Sequence, residues 1–358
     1  MSGWAGRRVL VTGHTGFKGS WLSLWLHALG AEVTGFALPP PSRPSLFETA
    51  RIAELVRHVE SDVRDLAAVR AVIEASQPEA IFHLAAQPLV RLSYREPVET
   101  YATNVMGTVH VLDAARRSPD VRAIVCVTSD KCYDNREWVW PYRESDPMGG
   151  HDPYSSSKGC AELVAAAWRN SFFAEDGPAL ATVRAGNVIG GGDWAEDRLV
   201  PDLVRAFEAG AAPLIRSPDA VRPWQHVLEA LGGYLQIAER MLAGERRFAD
   251  AWNFGPSDED ARPVGWIVER MRAAWGGGSA AAVADSGPRP HEAGLLRLDC
   301  SKARAALGWR PALSLDQALD WIVAWHKAVG DGTDARAVTL AQIADYAEAS
   351  GQRLRHAA

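Results

Sequence analysis

A chain of 358 residues that is 47% hydrophobic and 23% charged is long enough for a sizeable packed core and lies outside disordered compositions. Its net charge of -6 and the absence of any basic run longer than two residues leave no electrostatic footprint for nucleic acid or an anionic membrane. No apolar stretch approaches ~18 residues and no secretory leader precedes the first apolar run at Val9, so a cytoplasmic location is expected.

In chain order, Arg8 to Thr12 reads as a strand, meets Gly13, and is followed by a helix from Phe17 to Leu29 with Trp21, Leu22, Trp25 and Leu26 on one broad face. The alternation continues with strands at Glu32 to Phe36, Arg57 to Val63 and Ala80 to Ala85, a helix at Leu66 to Ser76, and one long helix at Pro97 to Arg117. A strand at Ala123 to Thr128, a helix at Ser155 to Phe173 and a strand at Ala179 to Val183 complete it. Strands separated by helices of this length need right-handed parallel crossovers, so residues 1–185 read as a doubly wound parallel sheet.

After Ala185 the rhythm breaks at Gly190, Gly191 and Gly192 and in the stretch Pro213 to Pro223. Residues 186–226 and 256–345 are expected to form a smaller, mostly α-helical substrate lobe, with a segment near 227–255 returning to the sheet. Residues 346–358 read as the end of a charged tail that frays after Val329. Cys126, Cys132, Cys160 and Cys300 have no CxxC spacing, so neither a metal site nor a disulfide framework is expected.

Gly13, Gly16 and Gly19 stand where the first strand becomes a helix. Glycine admits positive φ and close backbone approach, and a helix N-terminus favours an anion, so this turn predicts a dinucleotide diphosphate site. The acidic residue sought about 20 residues later for the adenosine ribose is missing, because strand two ends in Phe36, Ala37 and Leu38. Asp62 is a candidate for the adenine amino group, and Arg43 for a 2′-phosphate; NAD is favoured over NADP.

Thr12 to Gly19, His83-Leu84-Ala85-Ala86-Gln87, Asn104 and Tyr154-x-x-x-Lys158 together resemble the extended short-chain dehydrogenases that remodel nucleotide-sugars. The resemblance runs from about Val9 to Trp325 and implies a Rossmann domain holding NAD through Gly13, Thr15, Gly16, Phe17, Lys18, Gly19, Asp62, Val63, Leu84, Ala85, Ala86, Gln87, Asn104, Tyr154 and Lys158. Four residues apart on a helix, Tyr154 and Lys158 project from one face, and the ammonium favours the phenolate that a proton acceptor needs.

Ser129, Asp130 and Lys131 follow strand five at the carboxyl edge, where open α/β sheets bind ligands. In 4,6-dehydratases of this family the corresponding acidic pair supplies an acid and a base; here Lys131 replaces the glutamate, a departure that resembles the branch acting on CDP-sugars. As base, Lys131 must lose its proton near neutrality, a displacement of about 4 to 5 kcal/mol from the ordinary lysine value. A role as charge partner of Asp130 is the alternative. The implied reaction is dehydration of CDP-glucose to a 4-keto-6-deoxy product. Another nucleotide-sugar, an epimerase-like reaction or a non-catalytic dinucleotide sensor are the competing readings.

For the nucleotide-sugar, the resemblance implies Asn187, Arg198 and Arg222 at the diphosphate and Trp194, Trp224, His226 and His291 around the base or sugar. It also implies a homodimer through the helices beginning near Pro97 and Ser155, for which Val105, Val109, Leu112, Ala115, Ala161, Val164, Ala165 and Trp168 offer apolar faces.

Overall fold

A computed structural model describes residues 3–276, 281–284 and 294–351. The chain runs β1 (Arg8–Thr12), α1 (Phe17–Ala28), β2 (Glu32–Ala37), α2 (Leu46–Thr49), β3 (Arg57–Glu60), α3 (Leu66–Ser76) and β4 (Ala80–His83). It continues through α4 (Val90–Arg95), α5 (Pro97–Tyr101), α6 (Gly107–Arg116), β5 (Ala123–Val127), α7 (Pro153–Ser171), β6 (Ala179–Ala185) and β7 (Asn187–Ile189). Next come α8 (Leu199–Glu208), β8 (Leu214–Ile215), β9 (Val221–His226), α9 (Val227–Leu242), β10 (Ala251–Phe254) and β11 (Ala261–Pro263). The last elements are α10 (Val264–Trp275), β12 (Val283–Ala284), α11 (Ser301–Leu307), α12 (Leu315–Gly330) and α13 (Ala335–Ala349). Among the described residues no helix is long and apolar enough to cross a membrane.

Seven parallel strands make the central sheet in the order β10-β6-β5-β4-β1-β2-β3. Strand order reverses between β1 and β4, opening a crevice above their carboxyl ends. Both faces of the sheet are covered, which is why its strands read as continuous apolar runs. Val9, Val11 and Phe82 face a core shared with Trp21, Leu22, Trp25 and α9, while Leu10, Ile81 and Ile124 face Ile73, Val111 and Leu112. The segment after β9 returns to this sheet, with α9 on one face and β10 paired to β6. Separate from it, β7, β9 and β11 form a three-stranded sheet backed by α8, α10 and α12.

Two elements depart from the sequence reading. The single helix expected from Pro97 to Arg117 is interrupted by a π-helical turn, Ala102–Met106, in which Gly107 N–H closes on Ala102 O. From Ala335 to Ala349 the chain is a packed helix and not a fraying charged tail: Asp334 caps α13, and Thr339, Ile343 and Tyr346 recur at helical spacing on its buried face. The Tyr346 ring meets Trp25 edge-on at 5.6 Å, and its hydroxyl donates to Glu229 Oε2 at 2.8 Å. Tyr346 and Ala347, the first residues assigned to the tail, are therefore core residues.

Candidate active site

Gly13 leaves β1 with φ +76°, and a Cβ there would sit 2.6 Å from Ala85 N. A Cβ on Gly19 would overlap Gly13 O and stand 2.7 Å from the His14 Cα. At Gly16, by contrast, an added Cβ would meet Gly13 O at an ordinary 3.4 Å. No side chain caps the first turn of α1 and no acid lies in it, so its positive end is not neutralised from within the helix. The turn therefore fits a dinucleotide's diphosphate.

Around the turn, Thr15 Oγ1 donates to Leu38 O at 2.8 Å, while Leu84 N–H and Ala85 N–H donate to Thr12 O and Oγ1. Val63 packs on Gly107, and its carbonyl oxygen lies 2.9 Å from His110 Nδ1. Asp62 accepts from Arg64 through backbone and guanidinium, so its carboxylate is oriented although it does not cap α3, a place taken by Asp65. Asn104, in the π turn, accepts from Gln87 N–H and donates to Gln87 O and to Ser157 Oγ at 2.8 Å. The Gln87 side chain donates to Thr100 and to Leu89 O. Asn104 thus holds the loop carrying Ala86 against α7, and Gln87 holds it against α5. Phe17 packs near Gly190, at the lobe side of the turn.

Lys18 lies in the crevice with the reactive residues. Burial lowers its ammonium to about 7, assisted by the Arg198 and Lys158 cations and opposed by Asp130 and Asp193. Beyond β5, Ser129 Oγ donates to Asp130 Oδ1 at 3.0 Å and accepts from Lys131 N–H at 3.2 Å, and its hydroxyl favours the charged form of Tyr154. Burial raises the Asp130 carboxyl, against the opposing pull of Lys131, Ser129, Arg222 and Lys18. Asp130 Oδ2 is buried without a hydrogen-bond partner among the described residues. Tyr154 is pushed up to about 12, mainly by burial, and Lys158 is brought down to about 8 by the same cause. The Lys158 ammonium donates to Val127 O at 3.2 Å. Ser129, Asp130, Lys131, Tyr154, Lys158 and Lys18 therefore gather in one cluster, with a carboxyl disposed to keep its proton and two amines disposed to lose theirs.

Facing this cluster, Arg198 donates to Asp193 Oδ2 at 2.8 Å, and its charge reaches Tyr154. Arg222 is buried on β9, donates to Val221 O and Gly294 O, and acts on Asp130. Asn187 opens β7 and pairs with Trp224 across the small sheet.

Three of the aromatic side chains expected around the base or sugar are engaged in packing here. Trp224 is 3% exposed, packs in the lobe core and donates to Arg262 O. His226 is 1% exposed, caps α9 through Leu228 N–H and lies edge-on between Trp21 and Trp321. Burial holds its imidazole neutral, at about 3. Trp194 packs edge-on against Trp325 and His326. A small lobe draws on large rings for its own core. His291 lies outside the described residues. Among the described residues no group of three or more His, Cys, Asp or Glu side chains is placed to hold a metal ion.

Sequence reasoning missed Glu162 and Arg184, a buried pair at 2.8 Å beneath the cluster. Burial pushes the Glu162 carboxyl up, but the Arg184 guanidinium and the Thr128 and Thr182 hydroxyls bring it below the ordinary value. The available signal was spacing, since Glu162 lies one helical turn beyond Lys158.

The family model described as GDP-mannose 4,6 dehydratase matches residues 10–321. The chain belongs to that family. It is 55% identical to the CDP-glucose 4,6-dehydratase of Salmonella typhimurium over 352 residues, covering 97% of this chain and 98% of the relative. A solved dTDP-glucose 4,6-dehydratase from Streptomyces venezuelae, with NAD and TYD bound, is 25% identical with a TM-score of 0.74, over 92% of this chain and 99% of the other. The UDP-glucose 4-epimerase of Thermotoga maritima, at 22% identity, shares the fold with a TM-score of 0.79, over 90% of this chain and 99% of that one.

Proposed function

We infer that this chain converts CDP-glucose to CDP-4-keto-6-deoxyglucose and water. The observation that carries the reading is Asp130, buried against Ser129, acting on Tyr154, and followed by Lys131, whose charge acts on it. An acid that keeps its proton beside an amine suits an elimination, whereas inversion at one carbon needs no such pair. The Salmonella relative at 55% identity supports both the reaction and the base of the nucleotide.

Gly13, Gly16 and Gly19 would hold the diphosphate of NAD, with Asp62 and Val63 at the adenine and Lys158 at the nicotinamide ribose. The chemistry supplied by bound NAD is a hydride store, filled at C4 and emptied at C6, and a positive ring that favours the Tyr154 phenolate. Tyr154 accepts the proton of the 4-hydroxyl while Ser129 hydrogen-bonds the oxygen that becomes the carbonyl. That ketone acidifies the C5 hydrogen. Lys131 takes the C5 proton, the electron pair forms the C5–C6 double bond, the C6 hydroxyl departs as water with the proton of Asp130, and Lys131 returns its proton to C5 as C6 is reduced. Arg198, Arg222 and Asn187 would bind the substrate diphosphate, in a lobe made of residues 186–226 and 256–345.

A cytoplasmic homodimer completes the reading. Leu112, Ala115 and Ala165, expected at its interface, are instead fully buried within the subunit. The outward apolar residues on these helices are Val98 (77% exposed), Met106, Leu163 (61%) and Phe172, and they are the better candidates for a contact between copies. The test of function is purified protein incubated with CDP-, dTDP- and GDP-glucose. The 4-keto-6-deoxy product should form fastest from CDP-glucose; faster turnover of another nucleotide would overturn the substrate assignment.

A further inference from the structure

The reactive tripeptide is anchored at both ends to one buried ion pair. At its amino side, Thr128 Oγ1 donates to Glu162 Oε1. At its carboxyl side, Arg184 donates from Nη1 to Tyr133 Oη at 2.7 Å, while its Nε and Nη2 donate to Glu162 at 2.9 and 2.8 Å. The Tyr133 hydroxyl in turn donates to Asn253 Oδ1 on β10 at 2.7 Å. Thr128 and Tyr133 flank Ser129, Asp130 and Lys131, and Glu162 lies one turn beyond Lys158 on the helix that carries Tyr154.

We propose that the Glu162–Arg184 pair is a positioning device that fixes the acid and amine of the tripeptide relative to the Tyr154 helix, with separate anchors for the two halves of the reaction. This rests on the dehydratase reading above. A buried ion pair adds little net stability over apolar packing of the same volume, because desolvation of both ions offsets their attraction, so its bonds matter chiefly for holding a geometry. The anchors differ in what lies beside them. Thr128 adjoins Ser129, which serves the oxidation at C4. Tyr133 follows Lys131 by two residues and restrains the Asp130–Lys131 end, which serves elimination. Thr182 also donates to Glu162, at 2.7 Å, but adjoins neither end of the tripeptide.

The experiment compares full-length wild type, Thr128→Val, Tyr133→Phe and Thr182→Val. Its readouts are amide hydrogen exchange over residues 128–133 and deuterium isotope effects on product formation from CDP-glucose labelled at C4 or at C5. Tyr133→Phe should raise exchange at 130–133, slow product formation about tenfold or more, enlarge the C5 effect and suppress the C4 effect. Thr128→Val should do the reverse, enlarging the C4 effect. Thr182→Val should alter both rates by less than twofold. Each anchor variant is decisive alone, so failure of one to fold leaves the other's signature as the test. Equal slowing of both steps, wild-type exchange over 128–133, or the same signature from Thr182→Val would overturn the proposal. Absence of product from CDP-glucose in the wild type would instead overturn the functional reading, before any variant is compared.

Discussion

Along the sheet edge, the candidate side chains leave from loops that follow β1, β3, β4 and β5 and from the helical segments beside them, whereas across the crevice Arg222, Trp224 and His226 lie within a strand that also builds the lobe's own core. The first wall receives its framework from a large sheet and can leave Asp130 Oδ2 and the first turn of α1 uncommitted. The second wall has a three-stranded sheet, and its rings serve packing first. Residues at strand ends are available for chemistry because the strands have already satisfied the core, and a lobe of this size has no such surplus.

The largest effect should come from the first wall. Gly19→Ala places a methyl on Gly13 O and close to His14 backbone, where no flexible side chain can yield, so dinucleotide binding should be lost outright. Calorimetric titration with NAD checks this, with the fold monitored by circular dichroism; wild-type affinity would mean that the turn is not the diphosphate cradle. Next, Lys131→Ala should lower product formation by about 10²- to 10⁴-fold, the usual contribution of a general base, and abolish exchange of the C5 hydrogen with solvent deuterium. Retained exchange would leave Lys131 as a charge partner of Asp130.

The sheet and the order of its motifs were legible in the sequence because both-sided burial and parallel crossovers leave a long-range signature. The break of the helix at Ala102 was not, since a π turn replaces one backbone bond by another with no compositional mark. That Tyr154, Lys158 and the Ser129 tripeptide would gather was legible from the family resemblance and from their place after β5 and on α7. The packing of Trp224 and His226 was not legible because an aromatic ring in a loop-rich segment looks the same whether it lines a pocket or fills a core. Glu162 and Arg184 went unnoticed because charged residues are taken for surface unless a partner far along the chain is known.

Glu229 joins the two regions: at the start of α9 it accepts from Ala312 N–H and Leu313 N–H and from Tyr346. Burial raises its carboxyl to about 7, against the opposing pull of those bonds. A raised folded value means that the folded state binds the proton more tightly, so the associated stability is full below the ordinary value of 4.5 and is lost as pH rises to about 7. The displacement corresponds to about 3 kcal/mol. Glu229→Gln should therefore flatten the dependence of stability on pH between about 4.5 and 7, as measured by urea unfolding across that range. An unchanged slope would show that the carboxyl is already ionised in the fold.

The smallest effect should distinguish the walls most sharply. Trp224→Phe keeps a ring in the lobe core and removes the indole donor to Arg262 O, which costs about 1 kcal/mol for one hydrogen bond. If the ring serves packing, the midpoint of thermal unfolding falls by a few degrees and KM for CDP-glucose stays within twofold. A ring that bordered the nucleotide would give the opposite pattern, a tenfold rise in KM with little change in unfolding. The contrast with Lys131→Ala then has a physical meaning: on the sheet edge a substitution removes chemistry and spares the fold, while on the facing strand it loosens the core and spares the chemistry.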